Sequence, residues 1–410
     1  MYDLKDIRKQ FPMLNNNLKM QGKDLVYLDN ASTTFKPQCV IDAMNRYYTT
    51  MTANSHRGDY DLLYNMDQEV AKARKIISKF VNAEENEVVF TSGDTNSLNL
   101  VAFGYGLKFL KSSDEILISE TEHASNVLPW FKISELTKAK IKYIPLDEEG
   151  KITLENVKKV INSNTKIISI AHVGNVLGYT VDIRSIAKLA HEYGAILVVD
   201  GAQSVPHNKI DFKDLDCDFL AFSAHKMCGP TGVGALIGKY YLLDKMDAMF
   251  NGGGMNVKFS SDGTCQVLNP PAKFEAGTLN LSGIMGFGEA AKFLMDIGME
   301  NIHKHDQELF DYFIEKTKDN KNLIIYNKSA RNGIVTFNVK NIFAQDEATL
   351  LNSKGIAVRS GQHCAKLIDD VIHTNATIRA SFYLYTSKEE VDALINALNE
   401  GGDILDAYFN

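Results

Sequence analysis

From about Glu87 to Gly238 short, apolar, β-branched runs alternate with helical patterns, and few folds accept that alternation. Strands are expected at 88–91, 116–119, 167–170, 196–199, 219–222 and 235–237. Helical periodicity separates several of them, as at 96–110 and 183–193. The runs are apolar at consecutive positions, which marks strands buried on both faces. A mostly parallel sheet covered by helices on each side supplies that burial. The expected class is α/β.

At 410 residues the chain is long for one hydrophobic core, so two domains are expected. The last portion reads differently from the first. Helices at 284–296 and 301–318 lead into strands near 333–339 and 377–380 and a helix at 388–399. This describes a smaller C-terminal α+β domain at 295–410 after a large domain at 15–294. The boundary falls near Met295, inside or beside a helix. Residues 1–14 are expected to pack on the small domain.

A net charge of −7, with no basic block, argues against a partner that is nucleic acid. No run approaches the ~20 apolar residues that span a bilayer, so no membrane partner is expected. The first 14 residues carry Asp3, Lys5, Asp6, Arg8 and Lys9 and have no apolar signal core. A cytoplasmic location is expected. The five cysteines are scattered, without a CxxC pair, so neither a disulfide framework nor a zinc site is expected.

Ligands of open α/β sheets sit beyond the carboxyl ends of the strands. The segment after 88–91 is Ser92-Gly93-Asp94-Thr95, a turn opening a helix, where backbone N–H groups suit an anion. The same turn also reads as an ordinary helix cap. After 116–119 comes Glu120-Thr121-Glu122-His123, whose imidazole suits stacking on a flat ring or proton transfer, or sits satisfied at the surface. Asp200 ends the run 196–199. A carboxylate there needs a partner, such as a pyridinium nitrogen or a helix start. Lys226 follows the run 219–222 within Ser223-Ala224-His225-Lys226 and precedes a glycine-rich stretch. Partial burial would depress its pKa and suit a Schiff base; the alternative is a solvated loop lysine. Asp200 and Lys226 end strands that are neighbours in sequence, so one crevice can hold both.

The segments VVDGAQSVPH and FLAFSAHKMCGPTGVG resemble the cofactor core of the class V aminotransferase group, pyridoxal-phosphate (PLP) dependent transferases of fold type I. TEHASNVLPW, HVGNVLG and RSGQHCA narrow the resemblance to the group II, SUF-type cysteine desulfurases. The likeness runs from about Tyr27 to the last helix.

That resemblance implies a set of roles. Lys226 would hold pyridoxal 5'-phosphate as a Schiff base and move the substrate's proton. Asp200 would pair with the ring nitrogen. Gln203 and Asn175 would hydrogen-bond the ring oxygen, and His123 would stack on the ring as an acid/base. Thr95, Ser223 and His225 would hold the phosphate, with Thr278 reaching the neighbouring subunit's phosphate in a homodimer. Arg379 and Asn175 would bind the carboxylate of L-cysteine, with Arg359, His56 and Arg57 lining the site. Cys364 would take the sulfur as a persulfide, with Arg359 and His363 favouring its thiolate. L-alanine would leave, and a small acceptor protein would carry the sulfur toward iron–sulfur or thio-cofactor assembly. A selenocysteine lyase or an aminotransferase would use the same cofactor set.

Three positions depart from the group's pattern. The first phosphate turn carries Asp94, which should repel a phosphate unless it points away as a helix cap. Met255 follows the Gly252–Gly254 run, and Gln362 stands in the persulfide loop.

Overall fold

The computed structural model describes residues 2–54 and 59–402. Seven strands form the main sheet: β1 (Val88–Thr91), β2 (Glu115–Ile118), β3 (Lys140–Tyr143), β4 (Thr165–Ala171), β5 (Ile196–Asp200), β6 (Phe219–Ser223) and β7 (Gly234–Gly238). Their spatial order is β1-β7-β6-β5-β4-β2-β3. β7 runs antiparallel to both neighbours, and every other pairing is parallel.

The buried strands are those with unbroken apolar runs. β2, β5, β6 and β7 are buried at every residue. β3 was not expected from the sequence. Its Lys-Ile-Lys-Tyr lies at the sheet edge and is partly exposed. The charged residues suit an unpaired edge and break the apolar run that signals a strand.

Helices cover both faces. Asp61–Val81 and Leu281–Ile297 bury Met66, Val70, Ile77, Ile284 and Phe287 against one face. The other face packs Trp130, Val198, Phe219 and Leu236 into a second core. The expected helix at 96–110 begins at Asp94 and passes at Ala102 into a π-helical turn. Gly104 and Gly106 lie in that turn. A Cβ on Gly104 would sit 2.5 Å from the Asp247 carbonyl oxygen, so close backbone approach requires glycine there.

A smaller antiparallel sheet follows, with β8 (Leu323–Ile325), β9 (Ile334–Val339), β10 (Arg359–Gly361) and β11 (Thr377–Ser381) in the order β8-β9-β11-β10. Its core is built on Phe313, Phe337, Ile378 and Leu394. The helix Met299–Thr317 serves both cores: Met299 and Ile302 belong to the first, Leu309, Phe310 and Phe313 to that of the small sheet.

Two segments tie the halves together. At the N-terminus, Phe11 packs edge-on against Phe293 and Tyr385, and Arg8 pairs with Glu390 at 2.7 Å. The segment after Val26–Tyr27 is the second tie. Tyr27 lies beside Ala357 in a parallel pair, and Ser381 N–H donates to the Leu28 carbonyl at 2.7 Å. A few residues on, Thr34 N–H donates to the His225 carbonyl at 3.0 Å. The turn that carries Lys226 is thereby braced by a segment that also holds the small sheet.

Candidate active site

β5 and β6 are parallel neighbours, so Asp200 and the turn Ala224–Lys226 leave the sheet on the same side. Asp200 is buried, and its Oδ1 accepts the Ala202 N–H at 2.9 Å. Lys226 sits in a short 3-10 turn. Burial depresses its ammonium, while Asp200 and Asp94 pull the other way. Both residues line a cavity of about 200 Å³ between the sheet ends and the small domain.

Ser223, His225, Thr95 and Asp94 form one end of that cavity. Ser223 Oγ accepts the Asp94 N–H at 2.8 Å, which ties the end of β6 to the start of the helix Asp94–Val101. Gly93 between them has φ of +145°. A Cβ there would lie 3.2 Å from Ser223 Oγ, so glycine serves both the backbone angle and the close approach. The Thr95 hydroxyl pairs with that of Ser125 at 2.7 Å. Burial, then Lys226 and Lys36, lowers the His225 pKa to about 4. A neutral imidazole at neutral pH leaves it one N–H to donate.

Asp94 does not point away as a helix cap. It is buried, it lines the cavity, and its Oδ1 has no hydrogen-bond partner. Desolvation and then Asp200 push its carboxyl well above the ordinary range, against Lys226. A carboxyl in this environment favours its neutral form, which weakens the repulsion expected from the sequence.

His123 accepts the Ser125 N–H at Nδ1, 3.1 Å away, so its neutral ring carries the proton on Nε2. Burial and the Lys226 charge lower its pKa. Behind it Glu122 is buried, accepts from Asn126 Nδ2 at 2.8 Å, and is pushed up to about 8 by desolvation. Gln203 donates its amide to the Ala31 carbonyl at 2.7 Å and leaves Oε1 buried without a partner.

The small domain contributes a second group. Arg379 is almost fully buried and donates to the Asn175 carbonyl at 2.8 Å and to Ser32 Oγ at 2.9 Å. Its Nε has no partner, and Asp29 lies 3.4 Å from Nη2. Arg359 Nη2 reaches Cys364 Sγ at 3.5 Å. Cys364 is exposed, and both it and His363 have positive φ, +59° and +51°. Asn175 Nδ2 donates to the His363 carbonyl at 2.9 Å, and Ala124 N–H donates to the Cys364 carbonyl at 2.7 Å. Gln362 Nε2 binds Asp369 at 2.6 Å, so this loop position anchors the loop to the next helix.

One expected role changes. His363 is buried, pairs through Nε2 with the Thr377 hydroxyl at 2.9 Å, and has its pKa lowered to about 3 by burial and then by Arg379 and Arg359. It is uncharged and supplies no positive field to Cys364; Arg359 does so by direct contact, with Arg379 adding to it. Met255 is buried, with its sulfur 3.2 Å from Gly252 N, and fills space rather than facing the cavity. His56 and Arg57 lie outside the described residues.

The structure brings Lys226, Asp200, His123, Asn175, Gln203, Ser223, His225, Thr95, Arg359 and Arg379 around one cavity. Cys364 stands at its rim through Arg359. Thr278 does not join them. It is exposed, in a separate cleft beside Phe250 and Glu275. Ser32, Ser125 and Asp29 were missed from the sequence. The mostly polar segment Asp29–Thr33 directly after the apolar Val26–Leu28 was the available signal for the first and last.

The residues fit pyridoxal phosphate. A depressed amine and a buried carboxylate face the same space, hydroxyl and imidazole donors gather at a helix start, and buried polar atoms of Gln203, Arg379 and Asp94 lack partners.

The chain matches the family described as Aminotransferase class-V over residues 26–394. A probable cysteine desulfurase of Halalkalibacterium halodurans is 44% identical over 398 residues, covering 96% of this chain and 97% of that protein. The crystal structure of the cysteine desulfurase CsdA of Escherichia coli superposes with a TM-score of 0.91 at 32% identity, over 99% of each chain. A cysteine desulfurase of Thermococcus onnurineus also gives a TM-score of 0.91, at 35% identity and 97% coverage of each chain.

Proposed function

This chain belongs to the class V aminotransferase family, and from that membership we propose that it is a PLP-dependent cysteine desulfurase. It takes sulfur from L-cysteine, releases L-alanine and carries the sulfur as a persulfide on Cys364. The observation that carries this reading is the loop at Cys364: its main chain accepts from Ala124 N–H, next to His123, and from the Asn175 amide, and Arg359 links its sulfur to the Lys226 cavity.

When bound, pyridoxal phosphate supplies an electron sink for bonds breaking at the substrate's α-carbon. In this reading Lys226 anchors the cofactor, Asp200 faces its ring nitrogen, and Ser223, His225 and Thr95 hold its phosphate. Arg379 fixes the substrate carboxylate with a planar, preoriented fork. Lys226, its ammonium destabilised by burial, accepts the substrate's α-proton and later returns it. His123 offers an Nε2 proton on the cavity side, its orientation fixed by the Ser125 N–H. Cys364 Sγ bonds to the substrate sulfur as the substrate's C–S bond breaks. Arg359 steadies negative charge on Sγ during that step.

The reading includes a group II, SUF-type assignment, a large domain at 15–294, a small domain at 295–410 and a cytoplasmic site of action. It also includes a homodimer in which Thr278 completes the partner's phosphate site. Thr278 is exposed away from its own cavity, in a cleft that also holds the exposed side chain of Phe250, which supports such pairing. A small acceptor protein would meet the exposed Cys364 and take the sulfur toward cluster or thio-cofactor assembly. Mass spectrometry of the protein after L-cysteine treatment tests the whole reading: one added sulfur is expected, on Cys364. An unmodified Cys364 with undiminished alanine release would sink it.

A further inference from the structure

The carboxyl of Asp94 occupies an odd place for an acidic side chain. It begins the helix Asp94–Val101, where a phosphate would be welcome, yet it is itself buried. Its backbone N–H is already given to Ser223 Oγ at 2.8 Å, and its Oδ1 is buried with no partner. Thr95, Ser223 and His225 line the same end of the cavity. The structure thus leaves a carboxyl group, one oxygen unpaired, among the donors that would hold the cofactor's phosphate.

Resting on the function proposed above, we propose that Asp94 grips the phosphate of pyridoxal phosphate as a neutral carboxylic acid, donating its proton to a phosphate oxygen. An ionised carboxylate beside a phosphate is repelled in a site that excludes water. A neutral one becomes an O–H donor to an anionic oxygen, one of the stronger hydrogen bonds available. The groups facing Asp94 favour this state. Asp200 at the end of β5 adds like charge, and burial disfavours ionisation. Lys226 in the turn after β6 opposes them. His225 and His123 line the cavity with pKa values lowered by burial, so they add little positive charge at neutral pH. Arg359 and Arg379 lie on the small-domain side. An arriving phosphate, dianionic above about pH 6, adds further like charge and holds the proton more firmly on Asp94.

The consequence is a phosphate site whose strength falls as pH rises. Once the medium is alkaline enough to ionise Asp94 in the free protein, binding must take up a proton. Affinity then drops by about tenfold per pH unit relative to a variant that cannot titrate. Lys226 also titrates in this range, so the comparison is between Asp94→Asn and wild type rather than within wild type.

The test is to remove the cofactor and titrate the protein with pyridoxal phosphate from about pH 6.5 to about pH 9, following the visible absorbance. The same titration with pyridoxal, which lacks the phosphate, is the control. Asp94→Asn is expected to gain affinity over wild type progressively with pH, for pyridoxal phosphate and not for pyridoxal. Asp94→Thr, another non-titrating donor, should behave alike and serves if the first variant folds poorly. A variant-to-wild-type affinity ratio that stays flat with pH, or one that changes equally for pyridoxal, overturns the proposal and leaves the function standing. A wild-type protein that forms no coloured adduct at any pH overturns both.

Discussion

Arg359 and Arg379 stand opposite one another across the pair β10–β11, and both donate to the Ser32 hydroxyl, at 3.0 and 2.9 Å. Two neighbouring guanidinium groups repel, and Asp29 at 3.4 Å from Arg379 is the one carboxylate paired with either among the described residues. The pair is therefore short of negative charge, a condition that an amino-acid carboxylate relieves. Removing an interaction with a charged group of this kind costs about 1.5–3 kcal/mol. Arg379→Lys should raise KM for L-cysteine by about 10- to 100-fold, because an ammonium lacks the two-pronged fork. Ser32→Ala should raise it less, since both arginines keep other contacts. Steady-state kinetics at fixed pH separates the two; an unchanged KM in Arg379→Lys would remove Arg379 from substrate binding.

Cys364 is expected to be needed for sulfur capture and not for the fold. It is exposed, and its hydrogen bond to the large domain uses its backbone carbonyl. Cys364→Ala should bind cofactor as wild type does, melt within about 0.5 kcal/mol of it, and lose the persulfide and most alanine release from L-cysteine. Absorbance, thermal melting and sulfide assays check the three parts.

Gly234 opens β7 between the phosphate turn and the end of β6. A Cβ there would meet the Phe222 carbonyl oxygen at 2.5 Å and Gly93 Cα at 2.7 Å. Both obstacles are backbone, so neither can step aside cheaply. Gly234→Ala should destabilise the protein by about 1–3 kcal/mol or more and weaken cofactor uptake by displacing Gly93. Chemical denaturation and absorbance titration measure the two effects.

Glu122 gives a pH dependence of known sign. Its folded-state pKa is about 8, raised by desolvation from the ordinary glutamate value. The folded state therefore holds this proton where the unfolded chain releases it. Stability from this group is fully present below about pH 4.5 and is lost as pH rises toward 8. His363, with its pKa lowered to about 3, acts on the other side: its share is present above about pH 6.5 and is lost on acidification toward 3. Glu122→Gln should gain stability relative to wild type between about pH 5 and pH 8, because an amide needs no proton to stay neutral. Melting curves across that range check it, and a constant difference between the two proteins would contradict the assignment.

Much of the site was legible because chemistry sits where strands stop. Asp200 and Lys226 each end an apolar run, so their convergence follows from the parallel sheet. What escaped was set by packing between distant segments. β3 was hidden by its two lysines. Ser32 acts through Arg359 and Arg379, more than 300 residues away, and no local period announces that. Asp94 read as a source of repulsion unless turned away as a cap, because the sequence does not say how deeply a turn is buried. His363 read as a cation for the same reason.

The order β1-β7-β6-β5 has a metric consequence. Neighbouring strands lie about 4.8 Å apart, so the ends of β1 and β6, with the reversed β7 between them, are held about 10 Å apart. The turn Ser92–Thr95 follows β1, the amine follows β6, and the carboxylate closes β5. Glycine at the start of β7 keeps the intervening strand from filling the gap. Backbone pairing, rather than any side chain, therefore measures the length of the molecule this crevice admits, and one added methyl group at Gly234 would alter the ruler itself.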